Sequence, residues 1–246
     1  MIYSSAAEFK NTPRKAITLM GMSGVGKSYL SAMMSGWGWF AYSCDMEIGT
    51  KYLAAELDAP VSADDISALS RYISKPGELP MDEFLRRQQL YYEAECTALA
   101  RVPELAEGRD KLVNDSTGSL CEIEDEALIE ALGRTTLFVY IKASKEEELS
   151  VLERAQEYPK PLFYPRGLFQ AWVEEYRKIF DIKNVDDLPA NDFTRWVFPR
   201  LFAARLPKYQ ALADRFGVTI DTADLYKVKT EDDLMDVIAR GFDDER

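Results

Sequence analysis

The chain contains no histidine. That single absence removes Ser-His-Asp and Cys-His nucleophilic catalysis, H-E-x-x-H zinc chemistry and every imidazole general base. Acid–base work must then fall to carboxylates, lysine or tyrosine. Cysteine is scarce: Cys44, Cys96 and Cys121 are an odd, scattered set without C-x-x-C spacing, which predicts reduced, mostly buried thiols. No apolar run approaches the ~18 residues of a membrane-spanning helix, and the start carries no basic-then-apolar leader pattern. The expected location is therefore the cytoplasm, with no membrane partner. Positive charge is also in deficit. Thirty Lys and Arg stand against 42 Asp and Glu, for a formal net charge of −12, which disfavours nucleic acid or an anionic membrane as partner. The 246 residues, 47% hydrophobic and 29% charged, fit one α/β domain with insertions.

Against these absences stands one dense signal. Gly21-Met22-Ser23-Gly24-Val25-Gly26-Lys27-Ser28 fits G-x-x-x-x-G-K-S/T, with the apolar run Ala16–Met20 before it and a helix-forming segment, Ser28–Ser35, after it. Glycines let the chain fold around a phosphate with its N–H groups pointing inward, and the helix N-terminus adds partial positive charge. Gly21, Ser23, Gly24, Val25, Gly26, Lys27, Ser28 and Tyr29 are thus the expected nucleotide-binding residues. Lys27 would reach the β/γ-phosphates, and the Ser28 hydroxyl would ligate Mg²⁺. Phosphoryl transfer suits a chain without histidine, because it depends mainly on positioning and charge neutralisation.

Further strands are expected at Trp39–Ser43, Lys111–Asp115, Thr136–Ile141 and Gly217–Asp221. With Ala16–Met20 they predict a three-layer P-loop α/β fold: a five-stranded, mostly parallel sheet with helices on both faces. Residues 1–15 read as a polar lead-in. Residues 50–110 read as a mostly helical, acceptor-side region, and 154–204 as a lid followed by an aromatic helical insertion, all within one domain, 1–246. Asp45 follows the second strand, where ligands bind in open α/β sheets; a helix N-cap is the competing role. Asp115 ends a short apolar strand downstream of the P-loop, the usual form of a Walker B carboxylate for Mg²⁺, against a plain turn-forming Asp. Arg86 and Arg87 either face an anion or belong to a solvated helix face. Pro159, Pro161 and Pro165 break regularity, and a stiff loop with Arg154, Lys160 and Arg166 could cover phosphates or merely connect helices. The aromatic insertion, from Phe169 to Phe202, reads as packing and as a possible protein-partner surface. Lys229–Phe242 is expected to close the chain as an amphipathic helix.

Taken in order, these motifs resemble shikimate kinase and its nucleoside-monophosphate-kinase-like relatives. Besides the P-loop, the segment FAYSCDMEIG, Phe40–Gly49, is similar to that family's F-x-D-x-D-x-x-I-E, with Asp45 on the second Asp and Ser43 on the first. Thr117-Gly118-Ser119 stands at the G-G-G turn, Lys160-Pro161-Leu162 at the R-P-L lid, and Arg205-Leu206-Pro207-Lys208-Tyr209 at R-x-P-x-Y. The resemblance implies an ATP-binding, Mg²⁺-dependent phosphotransferase acting on a small hydroxyl-bearing acceptor. It implies Lys27, Asp45, Lys160 and Arg205 as catalytic residues, Arg154 near the adenine, and Ser28 and Asp115 at the metal. Ser43 for a carboxylate, T-G-S for G-G-G and Lys for Arg in the lid are departures. They imply that the fold and nucleotide site carry over and that shikimate as acceptor does not. A nucleotide-gated ATPase or binding module without a small acceptor is the alternative.

Overall fold

β-Branched and aromatic residues concentrate in five short runs, and each forms a strand in the computed structural model, which describes residues 2–62 and 65–242. These are β1 (Lys15–Met20), β2 (Phe40–Ser43), β3 (Lys111–Asp115), β4 (Leu137–Lys142) and β5 (Gly217–Asp221). They hydrogen-bond in the order β2-β3-β1-β4-β5, and all four pairings are parallel. The expected sheet is thus present and parallel throughout, where a mostly parallel one was anticipated.

The helices, in chain order, are α1 (Ala6–Asn11), α2 (Lys27–Gly36), α3 (Cys44–Glu47), α4 (Ser67–Ile73), α5 (Met81–Ala100), α6 (Val102–Glu107), α7 (Glu126–Thr135), α8 (Lys145–Glu157), α9 (Arg166–Phe180), α10 (Ala190–Phe216), α11 (Thr222–Leu225) and α12 (Glu231–Arg240). Two compact units result. The first comprises Met1–Cys44, Cys96–Glu148 and Arg205–Arg246, and the second Asp45–Glu95 and Leu149–Ala204.

The first unit contains the sheet. On one face Ile17, Leu19, Val113, Val139 and Ile141 form a core with Phe9 of α1, Leu30 and Met34 of α2 and Leu234 and Ile238 of α12. On the other, Phe138 meets Phe216 of α10 at a tilt and Tyr140 stacks on Tyr209, with ring centroids 5.5 and 5.4 Å apart, and Tyr42 Oη donates to Ala98 O of α5 at 2.8 Å. Burial on both faces explains why β1 and β4 read as near-continuous apolar runs, while the edge strand β2 leaves Phe40 and Ala41 exposed. The 1–15 region departs from its expected lead-in character: Ser5 caps α1, accepting from the Glu8 amide, and Phe9 is fully buried. At the other end, Thr230 and Asp233 form a reciprocal capping box at the start of α12.

In the second unit, Phe84 of α5 packs with Tyr164, Phe169, Val173, Tyr176, Phe193 and Val197. Here α10 runs through Pro199, which cannot donate to the Arg195 carbonyl four residues earlier. Gln156 Nε2 donates to that carbonyl instead at 2.8 Å, and Arg195 Nε returns a bond to Gln156 O at 2.8 Å.

Candidate functional site

The carboxyl end of β1 opens directly into the glycine loop. Gly24 and Gly26 take φ of +90° and +99°, conformations that cost a side-chain-bearing residue about a kcal/mol or more. Gly21 is restricted by space as well: a Cβ there would lie 2.7 Å from Ile141 O. Gly26 caps α2 and, having no side chain, does not itself bond the amides at that helix start. Val25 packs against the sheet core, while the Tyr29 side chain stands in solvent at 73% exposure.

Lys27 is buried, and its ammonium donates to Gly21 O at 2.8 Å and Met22 O at 3.2 Å. Asp115 ends β3 in register with Leu19 of β1 and Ser43 of β2. Burial pushes the Asp115 carboxyl above its ordinary range, against the lowering effect of a hydrogen bond from Ser28 and the charge of Lys27. Lys27, Ser28 and Asp115, three residues expected at the phosphate and the metal, are thus brought together. Among the described residues no group of three or more Asp, Glu or Cys side chains is placed to hold a metal ion.

The turn after β3 is tied to the same place. Ser116 Oγ donates to Leu19 O at 2.6 Å, Thr117 Oγ1 accepts from the Ser119 amide at 3.2 Å, and Gly118 lies against Ser23 of the glycine loop. Gly118 O accepts from Arg205 Nη1 at 3.0 Å and Tyr209 Oη at 2.6 Å. Arg205 is itself buried, and its Nε donates to Glu122 Oε1 at 3.1 Å; Lys208 donates to the other oxygen of the same carboxylate. Burial pushes the neighbouring Cys121 thiol up to about 12. Glu122 was not anticipated. It sits in a run of acidic residues that reads as solvated surface, and no motif spacing singles it out.

The remaining expected residues belong to the second unit. Asp45 lies half-buried in the first turn of α3. Arg154 and Lys160 are exposed, on α8 and in the proline-rich loop after it. Arg86 and Arg87 both pair with Glu83 at 2.7 Å, and the Arg87 guanidinium lies 5.0 Å from the centroid of the Tyr72 ring. Gln88 is a second residue that sequence reasoning passed over. Its Oε1 accepts from the Tyr164 amide at 3.0 Å and its Nε2 donates to Leu162 O at 3.1 Å, anchoring the proline-rich loop. Among the described residues no helix is long and apolar enough to cross a membrane.

No protein-family model matches the chain, and no curated protein matches its sequence. Among solved structures, a shikimate kinase from Bacteroides thetaiotaomicron is 17% identical with a TM-score of 0.44, over 92% of this chain and 95% of its own. The shikimate kinase from Acinetobacter baumannii in complex with shikimate is 16% identical with a TM-score of 0.43, over 94% of this chain and 93% of its own. At these scores the likeness adds no argument, and the α/β fold rests on the strand order and the loop geometry themselves.

Proposed function

We propose that the protein binds ATP on the Gly21–Ser28 loop and transfers its γ-phosphoryl group to a small hydroxyl-bearing acceptor. The observation that carries this reading is the convergence of Lys27, Ser28 and Asp115 beyond the carboxyl ends of β1 and β3, where ligands bind in open parallel sheets. The residues present fit a nucleotide–metal pair. Lys27 is a buried cation held at the glycine loop by its carbonyls, and one hydroxyl beside one carboxylate is a donor set suited to Mg²⁺, which keeps waters and substrate phosphates as its other ligands. Ser28 and Asp115 would hold the ion, which when bound neutralises charge on the phosphates.

The chain's own residues would do the rest. Lys27 exchanges the Gly21 and Met22 carbonyls for phosphate oxygens. Asp45, the assignment implied by the resemblance, accepts the acceptor's hydroxyl proton as the new O–P bond forms and the β–γ bridging bond breaks. Lys160 adds positive charge at the transferred group, Arg154 lies toward the adenine, and Arg205 meets the acceptor. A phosphoryl-transfer assay with labelled ATP and pooled small hydroxyl compounds tests the scheme. Lys27→Ala should abolish both nucleotide binding and transfer, and Asp45→Asn should abolish transfer alone. Retention of transfer in Asp45→Asn removes Asp45 from the mechanism.

A second reading, a nucleotide-gated ATPase or binding module without a small acceptor, is favoured by one observation: Arg205 is engaged by Glu122 and Gly118 O. Under it, hydrolysis proceeds at the same rate whichever metabolite is added.

A further inference from the structure

The aromatic insertion contains a feature that phosphoryl transfer does not use. Within the second unit, α9, α10 and their connection surround an open hollow of about 500 Å³ floored by Tyr176, Phe180, Ile182 and Trp196. The Tyr176 and Phe180 ring centroids are 4.4 Å apart, and Trp196 meets Tyr176 edge-on at 5.2 Å. This is not sealed core. Phe180 is 53% exposed, and Ile179 beside it is 56% exposed, which extends the apolar surface beyond the hollow.

Two carboxylates, Asp187 and Asp192, line the same hollow. Asp192 pairs with Arg195 at 3.0 Å. Among the described residues, the Asp187 carboxylate has no hydrogen-bond or ion-pair partner. Aromatic faces bounded by carboxylates attract organic cations, through the ring quadrupole and through direct charge. The site already shows that chemistry once: the Arg200 guanidinium lies 3.7 Å from the Trp196 ring centroid.

We infer that this hollow docks a basic segment of a protein partner, one that presents an arginine or lysine beside an apolar side chain. Charge complementarity selects the occupant. The carboxylates and the net charge of −12 repel nucleic acid and acidic surfaces and steer a basic chain inward. Openness selects a protein segment over a metabolite, because small-molecule sites bury about 70–90% of their ligand, whereas Phe180, which lines this hollow, is itself more than half exposed. Tyr and Trp at the centre with charge at the rim is also the composition of protein-binding hot spots.

The test uses the full chain and isothermal titration with the peptide acetyl-Leu-Arg-Leu-Arg-Leu-amide, its Glu-for-Arg counterpart, and tetramethylammonium chloride. The basic peptide should bind below 1 mM (about the weakest affinity a docking motif of this size needs) and the acidic one should not. Asp187→Lys and Phe180→Ala should each weaken binding about tenfold or more. Both side chains are exposed, so thermal melts of the two variants should match the parent and separate lost binding from lost folding. Several results would overturn the inference: no binding of the basic peptide, equal binding of both peptides, or affinity unchanged in both variants. Tetramethylammonium displacing the peptide at equal concentration would assign the hollow to small organic cations. A concentration-dependent dimer abolished by Phe180→Ala, without peptide binding, would assign it to a second copy of the chain.

Discussion

The Arg205 guanidinium and the Glu122 carboxylate form an ion pair at 3.1 Å in which the two side chains are only 6% and 1% exposed. Two charges taken out of water depend on each other: their joint presence adds little net stability, yet removing one leaves the other buried and uncompensated. Glu122→Ala should therefore cost about 3–5 kcal/mol, a fall in melting temperature on the order of 10 °C for a chain of this size. The double replacement Glu122→Met with Arg205→Met should recover much of that loss. Calorimetric melts of both variants check it, and a double variant no more stable than Glu122→Ala would refute the account.

Asp115 carries the opposite sign. Burial raises its folded pKa above the unfolded value of 3.8, and the Ser28 hydrogen bond and Lys27 charge offset this only in part. Its contribution to stability is therefore fully present below the unfolded pKa and is lost as pH rises through the folded one. Ionising the buried carboxyl therefore costs the folded state. Asp115→Asn should melt higher than the parent at pH 7, by about 2–4 °C for each kcal/mol relieved, and the gap should narrow below about pH 4. The same variant should lose Mg²⁺-dependent nucleotide affinity. A lower melting temperature at pH 7 would mean that attraction to Lys27 outweighs burial.

Gln88 makes a prediction about the proline-rich loop. It satisfies the Tyr164 amide and the Leu162 carbonyl together. Gln88→Leu keeps the volume and removes these bonds together with a longer one to Ile73 O at 3.5 Å, at about 1–3 kcal/mol for each backbone group left unsatisfied. Hydrogen exchange at the Tyr164 amide should accelerate in the variant, and more than exchange in β1. Unaltered protection at Tyr164 would show that the loop is held by other contacts.

These residues also mark where the sequence was legible. The central strands β1 and β4 could be read because burial on both faces leaves near-unbroken apolar runs, and the glycine loop because its φ values admit few other residues. The buried face of α5 includes two polar side chains, Gln88 and Glu95, among Phe84, Tyr91, Ala94, Ala98 and Leu99. A glutamine that satisfies another segment's backbone is indistinguishable in sequence from one facing water. Glu122 was hidden the same way, since its partner Arg205 lies 83 positions away. The glycine loop Gly21–Ser28 is local in sequence and so could be read as one motif. The other expected residues, from Asp45 to Arg205, are scattered along the chain; strand ends and loop cations could nominate Asp45, Arg154 and Lys160, but only resemblance could nominate Arg205.

Glu147 offers a test in which the pH dependence runs the other way. With Ser144 it forms a capping box at the start of α8: Ser144 Oγ accepts from the Glu147 amide at 3.2 Å, and the carboxylate accepts from the Ser144 amide at 2.8 Å. The same carboxylate accepts from Thr222 of α11 and from Tyr226 Oη at 2.8 Å. Partial desolvation pushes its pKa up, but the hydrogen bonds from Thr222, Ser144 and Tyr226 outweigh it and hold the value at about 2, against an ordinary 4.5. A depressed carboxylate contributes stability that is present above its unfolded pKa and is lost as pH falls toward the folded one. Glu147→Gln keeps a capping side chain but cannot titrate. Urea unfolding at intervals between pH 6 and pH 2 should show the parent losing its advantage over the variant across the range from about 4.5 down to about 2. Solvent screening keeps the effect small, so the diagnostic is the convergence of the two curves. A gap that stays constant over that window would show that Glu147 stabilises α8 and α11 without its charge.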